Sequence, residues 1–241
     1  MNYEIIFTPK EKIKGLILPK EITEDLAYFC GVLAGDGSIG FQEKKKDYWI
    51  RCVGNPKDEQ EFYNSIIKPL IKKLFNLEII PRHFDKGTTY GFNICSRSLV
   101  KYLTSEIGLP LGKKYDTLKI PPIFYSNRIL VAKFIEGVAD TDFHLRIRKK
   151  DYPVICGTSK SKNFIDEIKN FLEGEGFKIF YYVNSRFDTR VNKQVTTHRI
   201  EIYGRKQFLK WMNFIGFKHP KVSNKINILN CYAKTNSSDW I

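Results

Sequence analysis

Two aspartates 106 positions apart, Asp36 and Asp142, each close an apolar run carrying small residues at close spacing. The runs are Tyr28-Phe-Cys-Gly-Val-Leu-Ala-Gly-Asp-Gly37 and Phe134-Ile-Glu-Gly-Val-Ala-Asp-Thr-Asp142. A carboxylate at the foot of an apolar helix costs stability unless it is paired or binds a cation. The partial negative charge at a helix C-terminus deepens that cost. Hard divalent ions with oxygen ligands relieve it, and Mg2+ is the usual choice where phosphate oxygens complete the shell. One Asp-Gly could simply end a helix. The same arrangement twice in a basic chain points to chemistry.

The elements that must position these acids can be read from spacing. Ala27, Gly31 and Gly35 recur every four residues and share one helix face, and Gly137 and Thr141 form a matching strip. Lys133 takes the outer place on the second helix, which shortens the close contact there. Small-residue strips let helix backbones approach, so the two helices are expected to pack and bring Asp36 and Asp142 side by side. Carboxylates forced together raise each other's pKa unless a cation lies between them.

The rest of the chain reads as a duplication. Thr88-Thr89, Ile94, Arg97, Ile107, Gly108 and Lys113 match Thr196-Thr197, Ile202, Arg205, Ile215, Gly216 and Lys221 at one offset of 108. Each half is predicted to place two short strands after its acidic helix, near 38–42 and 48–55, and near 144–149 and 152–158. Helices follow over 58–75 and 161–176, with Pro69 kinking or breaking the first. Strand pairs over 78–84 with 88–95, and 178–183 with 196–203, come next. A helix then ends at Gly108 or Gly216, suited to a left-handed cap. The segment Asn184–Gln194 reads as a polar, flexible hairpin loop. Ile120-Pro-Pro-Ile-Phe separates the halves without a Gly/Ser linker, and Ser126 or Asn127 can cap the second acidic helix. The expected domains are 1–125 and 126–241.

Lysine and arginine number 40 against 26 acids, a net charge of +14 that favours a polyanionic partner, nucleic acid before an acidic membrane surface. The five cysteines have no C-x-x-C spacing, and Cys30 and Cys52 read as buried thiols of a reducing compartment. No apolar run approaches the ~20 residues of a membrane span. With no secretory pattern at the N-terminus, the expected location is cytoplasmic.

The segment from Pro19 through Ile39 resembles the first signature of the LAGLIDADG homing endonucleases, and Phe134–Asp142 resembles the second. The resemblance extends through Gly54-Asn-Pro-Lys-Asp-Glu, Gly108-Leu-Pro-Leu-Gly-Lys-Lys, Asp151-Tyr-Pro-Val-Ile and Ile215-Gly-Phe-Lys-His-Pro-Lys, over roughly residues 19–230. It implies an α+β fold of two αββαββα units related by a pseudo-twofold axis. The signature helices would form the interface, and two antiparallel sheets a DNA-binding saddle. It implies a monomer of the archaeal intron type that cleaves both strands of a long asymmetric duplex DNA target with divalent metal.

Carried over residue by residue, Asp36 and Asp142, together with Gly35 and Thr141, form the expected metal site, which holds two or more Mg2+ ions. Lys113 or Lys114 in the first half and Lys221 in the second are the expected lysines near the scissile phosphates. Asn55 matches the polar residue that orients water or metal, with Thr158 or Ser159 as its weaker counterpart. Asp140 stands where the first copy has Ala34 and receives no such role. A β-ribbon fits the DNA major groove. Gln42, Lys44 and Arg51, with Trp49, would line one sheet, and Arg146, Arg148, Arg186, Arg190, Lys193, His198 and Arg199 the other. Two departures stand out. Phe143 follows the second aspartate where the family has glycine, so strain and weakened cleavage of one strand are expected. Glu136 falls inside the second helix and is expected to turn outward, towards Lys133 or the basic segment after Pro122. The alternatives are an RNA maturase acting on its own intron RNA, and a nuclease-dead DNA-binding protein. With no self-splicing block in the chain, a free-standing, intron-type protein is expected over an intein.

Overall fold

The computed structural model describes residues 5–148, 151–189 and 192–235. A short helix, α1 (Pro9–Ile13), opens with a capping box between Thr8 and Glu11. Its Glu11 carboxylate is buried and accepts from Ser96 Oγ at 2.5 Å, Ser98 N at 2.9 Å and Ser98 Oγ at 2.8 Å. This ties the leading segment onto the first half.

That half then runs α2 (Glu24–Gly35), β1 (Gly37–Gln42) and β2 (Asp47–Gly54). A helical stretch follows: α3 (Gln60–Phe62), a π-helical turn at Tyr63–Ile67 and α4 (Lys68–Phe75). Pro69 has no N–H to donate, and the wide π turn falls directly before it, where the sequence expected a kink. β3 (Arg82–Phe84), β4 (Thr89–Cys95) and α5 (Arg97–Lys101) complete the unit. A π turn over Tyr102–Ile107 then ends at Gly108 with φ +99. The second half repeats the order with α6 (Arg128–Asp142), β5 (Phe143–Arg148), β6 (Tyr152–Ser159) and α7 (Lys162–Gly174). Then come β7 (Ile179–Asp188), β8 (Lys193–Tyr203) and α8 (Arg205–Phe214), with Gly216 at φ +90. α9 (Pro220–Thr235) follows as an extra helix.

The fold is therefore α+β, with two four-stranded antiparallel sheets of matching order, β1-β2-β4-β3 and β5-β6-β8-β7. Alternation decides which face is buried. Ile39, Ile50 and Ile94 align across one sheet, and Leu145, Ile155, Ile200 and Ile202 line the other, all under the helices. Among the described residues no helix is long and apolar enough to cross a membrane.

The ends of the second sheet differ from expectation. The residues read as a loop over 184–194 are mostly strand, since β7 runs to Asp188 and β8 begins at Lys193. The ribbon extends past the helices, so neither of its faces needs apolar side chains. β5 is described to Arg148, and the expected strand end at Lys149 lies outside the described residues.

α2 and α6 form the interface, and their glycines set how closely they approach. A Cβ on Gly31 would collide with the Phe134 carbonyl, and one on Gly137 with the Tyr28 carbonyl. A Cβ on Gly35 would strike the Thr141 hydroxyl and lie 3.5 Å from Asp142 Oδ2. The small-residue strips thus meet backbone to backbone, and the C-terminal ends of both helices come together.

Phe143 is not strained. Its backbone is extended, with φ −102 and ψ 162. Its ring fills the space over Gly157, its partner across the sheet, and stacks on Trp211 with centroids 6.0 Å apart. In the first copy Gly37 faces Cys52 instead. The bulky and small positions have exchanged strands between the copies, which preserves packing. Glu136 does not turn outward: it is buried, 2.9 Å from Lys133 Nζ and 3.9 Å from Lys218 Nζ.

Candidate active site and nucleic-acid interface

Asp36 caps α2 and Asp142 is the last residue of α6, so each carboxylate stands where the first strand of its sheet begins. Both are forced together by the helix contact, with Lys114 and Lys221 in electrostatic range of each. Burial raises the Asp36 carboxyl, and the two lysines oppose that rise. Burial first, and the neighbouring Asp36 second, push the Asp142 carboxyl up to about 7. Two carboxylates held together where burial disfavours their charge form a site that attracts cations.

The two lysines meet this site differently. The Lys114 ammonium donates to the carbonyls of Ala34 at 2.8 Å, Gly37 at 2.9 Å and Gly35. It therefore sits as a cation on the negative end of α2, and burial lowers its pKa. Lys113 is exposed, and its backbone carbonyl accepts from Thr117. The structure brings Lys114 and not Lys113 to the acids. Lys221 Nζ lies 3.6 Å from Glu59 of the opposite half.

Glu59 is a site residue that the sequence reading missed. It stands at the N-cap position of α3 but makes no side-chain cap, whereas Ser161 in the matching place caps α7 through Phe164 N. Its carboxylate turns inward over Gly54, where any Cβ would collide with it. Burial and the charge of Asp36 raise its pKa.

Asp140, which stands where the first copy has Ala34, also belongs to this arrangement. It is fully buried and accepts from Tyr28 Oη at 2.6 Å, from Lys218 N at 3.1 Å and from His219 N at 3.0 Å. His219 stacks on Phe62 with centroids 4.3 Å apart, and its Nδ1 accepts from Lys221 N at 3.1 Å. Asp140 thus shapes the turn that delivers Lys221. The exposed Asn55 uses its side-chain oxygen to accept from Lys57 N at 2.9 Å, which closes the turn before α3.

The two carboxylates are hard oxygen donors of the kind a divalent ion takes. The three carbonyls gathered on the Lys114 ammonium mark the same spot as favourable for positive charge. The residues fit such an ion. Among the described residues no group of three or more His, Cys, Asp or Glu gathers into a metal shell, so carbonyls, water and substrate oxygens would have to complete it. The Thr141 hydroxyl donates to the carbonyls of Val138 at 3.0 Å and Gly137 at 3.3 Å within its own helix.

Each sheet turns its polar face away from the helices. On the first, Ser38, Gln42, Trp49, Arg51 and Asn93 share that face by register. Lys44 is exposed on the Glu43–Lys45 turn at the hairpin tip and not on the strand face. Arg51 is paired with Asp85 and lies 4.9 Å from the Phe84 ring centroid. On the second sheet Arg146, Arg148, Arg186, Lys193 and Arg199 share the polar face. His198, next to Arg199 on an extended strand, must point to the opposite face. There it stacks on Tyr181 and pairs with its hydroxyl at 2.6 Å. Arg190 lies outside the described residues.

No protein-family model matches this chain. A glutamine–fructose-6-phosphate aminotransferase of Methanocaldococcus jannaschii is 28% identical over 213 residues, covering 88% of this chain and 18% of that protein. A DNA polymerase of Thermococcus litoralis is 27% identical over 172 residues, covering 66% of this chain and 10% of the polymerase. The chain thus spans less than a fifth of either relative. Among solved structures, the homing endonuclease I-DmoI in complex with DNA and Ca superposes with a TM-score of 0.59 at 15% identity, over 86% of this chain and 99% of that one. I-WcaI, a homing endonuclease bound to its DNA recognition sequence, gives 0.54 at 12% identity, over 92% and 98%. The fold is that of the two-sheet homing endonucleases.

Proposed function

We propose that this chain is a site-specific, metal-dependent endonuclease of double-stranded DNA, acting as a monomer on a long asymmetric target. One observation carries the reading: Asp36 and Asp142 meet at the end of a helix interface, with Lys114 and Lys221 beside them, where two arginine-bearing sheets begin. A divalent ion, Mg2+ by the usual preference for phosphate sites, would supply charge for the leaving oxygen and acidify a water.

The chain's own residues do the rest. Asp36 and Asp142 would hold the cation, whose charge would favour the carboxylate forms that burial disfavours. Lys221, held by Glu59 and by the Asp140-ordered turn, is placed to neutralise a phosphate oxygen. Lys114 plays the matching part if it leaves the α2 carbonyls when DNA and metal enter. The arginines contact base edges and the lysines phosphates.

The curated relatives support a movable module. An aminotransferase and a DNA polymerase share no named activity, yet each resembles this chain over a small part of its length. Such a segment is expected of an element that inserts into unrelated hosts, and this chain is read as that element's nuclease.

The test starts from a randomised duplex library. Duplexes bound by the purified chain are selected, then incubated with Mg2+. Defined double-strand cuts in the selected duplexes, lost in Asp36→Asn, support the proposal. Tight sequence-specific binding without cleavage would make the chain a DNA-binding protein only.

A further inference from the structure

We infer that Glu201 is a specificity-positioning residue, which fixes Arg146 and Arg199 in the geometry that reads bases on the second sheet. This rests on the reading of the chain as a sequence-specific DNA binder. Glu201 stands on β8 in the middle of the polar face and is buried, at 1% exposure. Its carboxylate accepts from Arg146 and from Tyr203 Oη, and Arg199 Nε lies 3.5 Å away. Covered in this way, it cannot itself accept from a cytosine amino group. It acts through the arginines around it.

Rings hold Arg199 and Arg148 as planes. The Arg199 guanidinium lies 5.1 Å from the Tyr182 ring centroid, and Arg148 lies 5.4 Å from that of Tyr203. Tyr182 and Tyr203 approach each other at 3.4 Å between hydroxyls. The pairing with Glu201 engages Arg146 through Nη2, and the side chain is 36% exposed, so donor capacity remains on the outer edge of that guanidinium. A guanidinium reads guanine by two parallel hydrogen bonds and must be held in plane to do so. A free arginine would contact phosphates as readily as bases. A buried carboxylate beneath two guanidiniums removes that freedom. It also lowers the local positive charge, which weakens binding to unrelated sequence.

The first sheet offers a contrast. Asp85 pairs with Arg51 there, but their side chains are 51% and 31% exposed. Solvent screens such a pair, so it constrains Arg51 less.

The test compares base preferences selected from a randomised duplex library by the wild type, Glu201→Gln, Arg146→Ala and Arg199→Ala. Glu201→Gln is expected to relax preference, about tenfold or more, only at the positions that Arg146→Ala and Arg199→Ala relax, the cost of losing a bidentate base contact. Its binding to random duplex should hold steady or rise, and its sites should become more salt-dependent. Tyr203→Phe, which removes one donor and leaves the charge, should relax the same positions to a smaller extent. Unchanged preferences in Glu201→Gln overturn the inference. So does a uniform loss at every position, which marks a merely structural role. A wild type that selects no sequence overturns the proposed function and this inference with it.

Discussion

The Tyr28 hydroxyl donates to the Asp140 carboxylate at 2.6 Å, joining the two interface helices from opposite halves of the chain. Both residues are fully buried. The same carboxylate receives the backbone of Lys218 and His219, so one acid ties the helix pair to the turn that carries Lys221. Tyr28→Phe is expected to cost about 1.5–3 kcal/mol in denaturant unfolding, the worth of one hydrogen bond to a charged group. Asp140→Ala strands three donors and should cost roughly 3 kcal/mol or more. Cleavage should fall further in Asp140→Ala than in Tyr28→Phe, because only the former frees the turn before Lys221.

The helix contact leaves no room at Gly31. Its Cβ would meet the Phe134 carbonyl, which is backbone and cannot swing aside. Gly31→Ala is therefore expected to destabilise the chain by about 1–3 kcal/mol or more. The neutral benchmark is Gly174→Ala, where no atom lies within 4 Å of the added Cβ. Thermal melting of the two variants checks the difference.

Phe143 packs as core. Truncation to alanine is expected to cost roughly 3–5 kcal/mol, the usual loss for a buried phenylalanine. A gain in stability would instead mean that the phenylalanine is strained, and equilibrium unfolding decides between them.

Glu11 makes a pH signature. Burial alone would raise its carboxyl, but hydrogen bonds from Ser96, Thr8 and Ser98 outweigh it and bring the group down to about 2. The folded value lies below the unfolded one. Its stabilisation is thus complete above about pH 4.5 and is lost as pH falls towards 2, on the order of 2–3 kcal/mol. Stability measured against pH for the wild type and Glu11→Gln should converge at the acid end and separate above it.

The sequence carried most of this plan because the duplication repeats it. The offset of 108 aligns Gly108 with Gly216, and both adopt the left-handed cap their spacing implied. Gly31 and Gly137 announced the helix contact, since only small residues permit it. The harder readings fell short for physical reasons. The choice between Lys113 and Lys114 stays open in sequence, because Lys113 matches Lys221 by offset while the loop through Gly112, at φ +82, presents Lys114 to the acids. Glu59 looks like an ordinary acid before a helix, and only the space above Gly54 reveals where it turns. The β7–β8 ribbon lacks apolar alternation because solvent reaches both faces, so its polar residues resembled a loop. His198 and Arg199 are neighbours in sequence and therefore opposites on a strand.

The most direct measurement uses a selected target duplex labelled separately on each strand and incubated with Mg2+. Wild type, Asp36→Asn and Asp142→Asn are compared, with binding of each measured in parallel. Both strands should be cut by the wild type. Each single substitution should abolish cleavage of at least one strand while binding persists. Cleavage of both strands that survives in both variants would contradict a site built from Asp36 and Asp142.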